Sequence, residues 1–245
     1  MCALAKMTWV EFKLFLREPI GAFFTLIFPL MLLFIFGSIF GNEPSEFMGG
    51  LGSMDVSTPA YIAMIVGTVG LMSGPISLVV YREQGILRRF RAAPLRPVTI
   101  IGAQVIIYFL MTVLGVALLV AAATIIYHVR LPEAPIEVFL AFCLSLASFL
   151  AVGFVLASLM STARATQIVS MVIFYPMLFL SGAAGPRQIM PETVQKISEF
   201  LPLTHVNILI SDLWFGKGWN LVSVVMLAGM LLVGIIVAAR TFRWE

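Results

Sequence analysis

The stretch YREQGILRRFRAAPLRP, residues 81–97, holds five arginines and one glutamate. About 20 residues before it and about 30 after it carry no Asp, Glu, Lys or Arg. A third of the chain's 15 Lys and Arg residues therefore sit in one short segment between two long apolar runs. A basic island of this kind is what a surface loop between two membrane spans looks like, because a charge in the hydrocarbon centre is costly while one at the surface is not.

The rest of the chain supports that reading. Of 245 residues, 61% are hydrophobic and 11% charged, and the mean hydropathy is +1.06. Soluble domains are typically about 45–50% apolar and about 25% charged, so this composition cannot cover a water-facing surface. The formal net charge of +3 does not point to nucleic acid, since in a membrane protein the location of the basic residues matters more than their sum. The two cysteines, Cys2 and Cys143, lie at the amino terminus and inside an apolar run, without metal-ligand spacing. No cleavable leader is expected, because the first apolar run is too long for a signal segment.

About 20 apolar residues are needed to cross the hydrocarbon core. Six runs qualify, at residues 21–40, 58–80, 98–127, 136–160, 166–183 and 221–239. The expected fold is an all-α membrane protein of six transmembrane helices, one transmembrane domain over 21–245 preceded by an interfacial helix within 1–20. Pro29, Gly74-Pro75 and Pro176 mark expected kinks, and Gly70 with Gly74 forms a G-x-x-x-G that lets a helix approach closely. Residues 5–18 mix Lys6, Glu11, Lys13, Arg17 and Glu18 with bulky apolar side chains, as a helix lying in the interface does, with Trp9 at headgroup depth.

Six spans put both termini on one side. Placing them in the cytoplasm puts eleven of the fifteen basic residues inside: Lys6, Lys13, Arg17, Arg82, Arg88, Arg89, Arg91, Arg96, Arg164, Arg240 and Arg243. Positive charge concentrates on the cytoplasmic side, so the expected topology is N-in, C-in. Residues 182–220 then lie outside. Met190-Pro191-Glu192-Thr193 reads as a helix start, Val194, Ile197 and Leu201 fall at helical spacing, Pro202 ends that turn, and 205–215 is apolar but too short to span. One or two short re-entrant helices before the last span are expected there.

Residues 82–93 read as a short amphipathic cytoplasmic helix, with Ile86, Leu87, Phe90 and Ala93 on one face and Pro94 and Pro97 ending it. Anchoring topology and touching anionic lipid account for the arginines. They do not account for Glu83, Gly85 or the separate apolar face, which suit a soluble partner's grip.

Three features together resemble the ABC-2 type permeases, the membrane subunits of one class of ATP-binding-cassette exporters. They are the interfacial helix before span one, the run from Arg82-Glu83-Gln84-Gly85 through Leu87-Arg88-Arg89-Phe90 to Ala93-Pro94-Leu95, and Phe179-Leu180-Ser181-Gly182 followed by Pro186, Met190-Pro191 and Leu201-Pro202-Leu203-Thr204-His205. The resemblance covers essentially the whole chain and is nearest to small permeases paired with drug-resistance ATPases. It implies a multi-pass protein of a bacterial plasma membrane and a dimer with itself or a similar permease. It further implies two copies of a cytoplasmic ATPase that bind ATP and Mg, and docking through a coupling helix. Arg82, Glu83, Gly85, Leu87, Arg88, Arg89 and Phe90 are the residues that the resemblance assigns to ATPase coupling.

The sequence contains no G-x-x-x-x-G-K-[ST] phosphate loop, so the chain is expected to bind no cofactor, to coordinate no metal and to hydrolyse no ATP itself. Leu180-Ser181-Gly182 resembles the ATPase signature but ends an apolar span. His128 and His205 are far apart in sequence, and no Ser/His/Asp set can be argued. The spans are nearly free of ionisable residues, which argues against a proton-coupled antiporter or an ion channel. Phe24, Phe28, Met31, Met72, Phe174, Tyr175 and Phe179 offer the adaptable apolar surface that a hydrophobic or amphipathic substrate path needs. Export of a lipid-linked glycan, a secondary transporter, or a non-transporting scaffold, sensor or immunity protein remain alternative readings.

Overall fold

A computed structural model of the chain describes residues 3–17, 19–86, 97–183 and 190–241. Helix α1 (Ala3–Arg17) precedes α2 (Phe23–Phe40, continuing from Pro19–Ala22), α3 (Ser53–Glu83), α4 (Pro97–Tyr127), α5 (Pro135–Leu159) and α6 (Ala163–Leu180). Two short helices, α7 (Glu192–Ser198) and α8 (Pro202–Trp214), lead to α9 (Leu221–Thr241). Six of these, α2 to α6 and α9, are long and apolar enough to cross a membrane.

The amphipathic pattern of α1 is realised as a stripe. Met7, Glu11 and Phe15, four residues apart, are buried, as one face of a 3.6-residue helix requires. That face packs on α4. Trp9 lies on the exposed side, its ring 5.5 Å from that of Phe12 and 5.3 Å from the Lys13 ammonium.

Helix α3 is the centre of the molecule. In its most apolar stretch 94% of residues are buried, against 17% for α9 and 22% for α2. Helices α2, α4, α5, α6 and α8 all pack on it, and α9 packs chiefly on α5. The exposed faces of the outer helices are apolar, with Ile125, Ile136, Val172, Leu221 and Val222 among the most open side chains. Several hydroxyls inside the bundle bond their own helix: Thr58 donates to Met54 O at 2.7 Å, Thr68 to Met64 O at 2.8 Å and Ser145 to Ala141 O at 2.7 Å. This satisfies those three hydroxyls where no water can.

Two of the expected proline kinks take the form of π turns. Phe23–Ile27 precedes Phe28-Pro29, and Val69–Ser73 precedes Gly74-Pro75. Proline lacks the N–H that would bond the carbonyl four residues back, and its ring crowds that carbonyl. The helix widens by one residue, and Phe28 N and Gly74 N reach Phe23 O and Val69 O instead. The second π turn lies against α5. There Gly70 faces Phe149, Gly74 faces Leu150, and a Cβ on Gly153 would run into the Gly70 carbonyl oxygen. The G-x-x-x-G of span two thus admits span four of the same chain.

At the Asp55 end of the bundle, α3 is capped from a distance. Its N-cap is Gly52, which has no side chain to offer. Asn42 supplies one: its Oδ1 accepts from Met54 N and Asp55 N, both at 3.0 Å. Its Nδ2 donates to Tyr127 O at 3.0 Å. A Cβ on Gly52 would occupy the place that the Asn42 side chain fills. Asp55 completes the box, accepting from Gly52 N at 3.1 Å and from Arg130 N at 2.9 Å. Trp214 Nε1 then donates to Arg130 O at 2.9 Å. Two connections, the end of α4 and α8 are linked around one buried carboxylate and one amide.

Two expectations at the ends of elements are corrected. Pro202 starts α8 rather than ending the helix before it, because a proline's missing N–H costs nothing at a first helical turn. Helix α7 stops at Ser198, so Leu201 lies beyond it; the helix buries Ser198, while Ile197 is exposed.

Candidate coupling junction

The last turn of α3 carries most of the described motif of the basic segment. Tyr81 and Glu11 are both buried, and the Tyr81 hydroxyl donates to Glu11 Oε2 at 2.8 Å. This bond fastens α1 to α3. The next residue points elsewhere: the Arg82 guanidinium donates from Nη1 to Ala157 O at 3.2 Å and from Nη2 to Met160 O. These carbonyls belong to the end of α5, where the last groups of a helix have no intrahelical partner and the helix dipole favours a cation. Glu83 is exposed. Gln84 N bonds Val80 O at 2.9 Å and Gly85 N bonds Arg82 O at 3.0 Å, with Gly85 at φ 65°. That left-handed conformation is a standard helix stop and is unfavourable for residues with a Cβ.

The expected start of the 82–93 helix is corrected here, while Ile86 is helical and residues 87–93 lie outside the described residues. Arg82 and Glu83 belong to span two, which runs to Glu83, and the Gln84-Gly85 turn ends it. The glycine is the physical reason, since it permits a stop that the amphipathic pattern alone does not reveal. Ile86 packs with Val80 against Met7, Tyr81 and Ala103. Leu87, Arg88, Arg89 and Phe90 lie outside the described residues. Beneath the turn a cavity of about 340 Å³ lies between α1, α3 and α4, with Glu11, Ser77, Tyr81, Gln84 and Tyr108 in its wall.

From this junction, contacts continue into the bundle. The Tyr108 hydroxyl of α4 donates to Ser73 O at 3.2 Å, in the π turn of α3. Ser148 of α5 donates to Leu227 O of α9 at 2.8 Å, and Ser158 shares a 2.7 Å hydrogen bond with Thr241. Helix α5 is therefore bonded to α3 and to α9 near the Arg82 end.

A family model described as ABC-2 type transporter matches residues 3–215. The chain belongs to the ABC-2 type transporters. It is a multi-pass membrane permease of an ABC transporter, a system that works with an ATPase. No curated protein matches the chain.

The third motif of this ABC-2 transporter builds the opposite end of the bundle. Ser181 and Gly182 close α6: Ser181 N bonds Met177 O at 2.8 Å, and Gly182 takes φ 81°. Asn207 of α8 donates to Ser181 O at 3.0 Å. His205 lies 2.8 Å from Glu199 O through Nε2 and 3.0 Å from the Ser223 hydroxyl through Nδ1. A carbonyl only accepts, so Nε2 carries the hydrogen that bonds Glu199 O. The Leu-Pro-Leu-Thr-His run thus locks α7 and α8 to the start of α9.

The path candidates lie on three helices, α2, α3 and α6, and both α2 and α6 pack on α3. Phe24 and Phe28 are half-buried on α2, with ring centroids 5.3 Å apart, and Met31 is exposed. Met72 and Phe174 are buried in the core, where Phe174 abuts Gly67 of α3. Tyr175 and Phe179 are exposed on α6. Sequence reading missed Glu11, Tyr81 and Asn42 as organisers. Glu11 had a signal: it is an acid on the apolar stripe of α1, where an unpaired carboxylate would be costly. Asn42 had none, since its partners are 12 and 13 residues away.

Proposed function

We propose that this chain forms the translocation path of an ATP-driven exporter for a hydrophobic or amphipathic substrate, drug-like or lipid-like. The Arg82 end faces the cytoplasm, with both termini inside. Two such chains, or this chain and a similar permease, assemble with two copies of a cytoplasmic ATPase that binds ATP and Mg. The ATPase grips the segment that begins at Glu83. The observation that carries this reading is the exposed Glu83 carboxylate beside the Gly85 stop, on a turn held to α1 and α5. A partner that pulls or pushes there moves a stiff helix rather than a slack loop. ATP binding can shift the spans only if the partner grips the two states with different affinity.

The test is a mild-detergent pull-down of the tagged chain from its native membranes, with mass spectrometry of what accompanies it. Recovery of a soluble ATPase at equal stoichiometry supports the half-transporter. Recovery of the chain alone, repeated under cross-linking, sinks it. Glu83→Ala should abolish stimulation of the ATPase while the chain still inserts in the membrane. Normal stimulation by that variant would remove Glu83 from the contact.

A further inference from the structure

Resting on that reading, we propose that Arg82 does not contact the ATPase but is the positioning residue that carries the ATPase stroke into α5. Neighbouring residues of one helical turn face three structures. Tyr81 is bonded to Glu11 of α1, Arg82 to the final carbonyls of α5, and Glu83 is exposed. The partner's force enters at the exposed Glu83 end of the turn. It leaves along the bonds that turn makes, and the guanidinium is the polar tie to α5. Two donors of a planar fork meet two backbone acceptors, so the tie resists both sliding and rotation.

What lies behind the tie makes it more than a local cap. Helix α5 is packed against the π turn of α3 and along α9, with the Ser148 and Ser158 bonds between α5 and α9. The Gly70–Gly153 approach leaves no slack between α3 and α5. A displacement of the α5 end is thereby passed to α9. Loss of Arg82 should separate ATP hydrolysis from movement of the spans, whereas loss of Glu83 should weaken the partner contact itself.

The experiment uses the permease with the ATPase recovered in the pull-down and needs no transported substrate. In a Cys2→Ser, Cys143→Ser background, Ile136→Cys places a thiol at the far end of α5, on an exposed position. A bimane probe on it is read without nucleotide, with ATP, and after vanadate trapping. The expected result is an emission shift between nucleotide states in the parent. Arg82→Ala should lose it, while the ATPase still co-purifies and still hydrolyses ATP. Arg82→Lys, which keeps the charge but not the fork, should show a smaller shift and covers the case in which the alanine variant does not fold. Arg164→Ala removes an exposed arginine from the first turn of α6 and should leave the shift intact.

Three outcomes overturn the proposal: a full shift in Arg82→Ala, no shift in the parent, or loss of ATPase capture by Arg82→Ala, which would make Arg82 a docking residue. Failure to recover any ATPase refutes the proposed function instead, and is seen before the probe is read.

Discussion

Asn42 shows how much one side chain organises. It caps α3 across a gap of 12 residues, holds the end of α4 through Tyr127 O, and occupies the space beside Gly52. Asn42→Ala leaves the Met54 and Asp55 N–H groups without their acceptor. Stranding a buried donor costs about 1–3 kcal/mol, so a clear drop in melting temperature of the purified protein is expected. Asn42→Asp should not rescue it, because a second carboxylate would stand against Asp55. An unchanged melt would mean that the cap is not needed. None of this was legible in the sequence, where Asn42 is one polar residue in a polar connection. Gly85 and Gly182 were legible as members of motifs, yet their role as left-handed helix stops comes only with the backbone. Leu87, Arg88, Arg89 and Phe90 remain coupling residues by proposal.

Among the elements, the six spans were readable because about 20 apolar residues in a row have little alternative to crossing a membrane. The third, fourth and sixth begin within a residue of their expected starts. Span two was underestimated at both ends, since Ser53, Asp55, Arg82 and Glu83 are polar residues inside a helix, and polarity was taken as the boundary. Prolines located the two distortions but not their form. The contact between α3 and α5 was legible only as a glycine pair without a partner. Gly153→Ala tests it: its Cβ would strike the Gly70 carbonyl oxygen, a backbone atom that cannot swing aside. A loss of about 1–3 kcal/mol is expected for such overpacking. Gly229→Ala, on α9 with nothing within 4 Å of the added carbon, should be harmless in the same melting measurement. Equal behaviour of the two variants would show that α3 and α5 can separate at little cost.

For the molecule as a whole, orientation is the next question. Single cysteines in the cysteine-free background at Thr162, between α5 and α6, and at Lys217, between α8 and α9, lie at opposite ends of the bundle. On intact cells an impermeant maleimide should label Lys217→Cys and spare Thr162→Cys. The reverse pattern would invert the transporter and move the ATPase site to the other end. The arrangement of spans also has a consequence in time. Of the spans that cover α3, only α2 precedes it; α4, α5 and α6 follow, as does the short helix α8. A ribosome therefore releases the future centre of the protein before most of the helices that will shelter it. At a mean hydropathy of 1.9, against 2.7 for α4 and 2.8 for α9, α3 must wait among lipids or beside the insertion machinery with Ser73, Ser77 and the Gly70 groove uncovered. The axis of the transporter is thus synthesised before most of the shell that covers it, and the Gly70 groove stays open until α5 arrives.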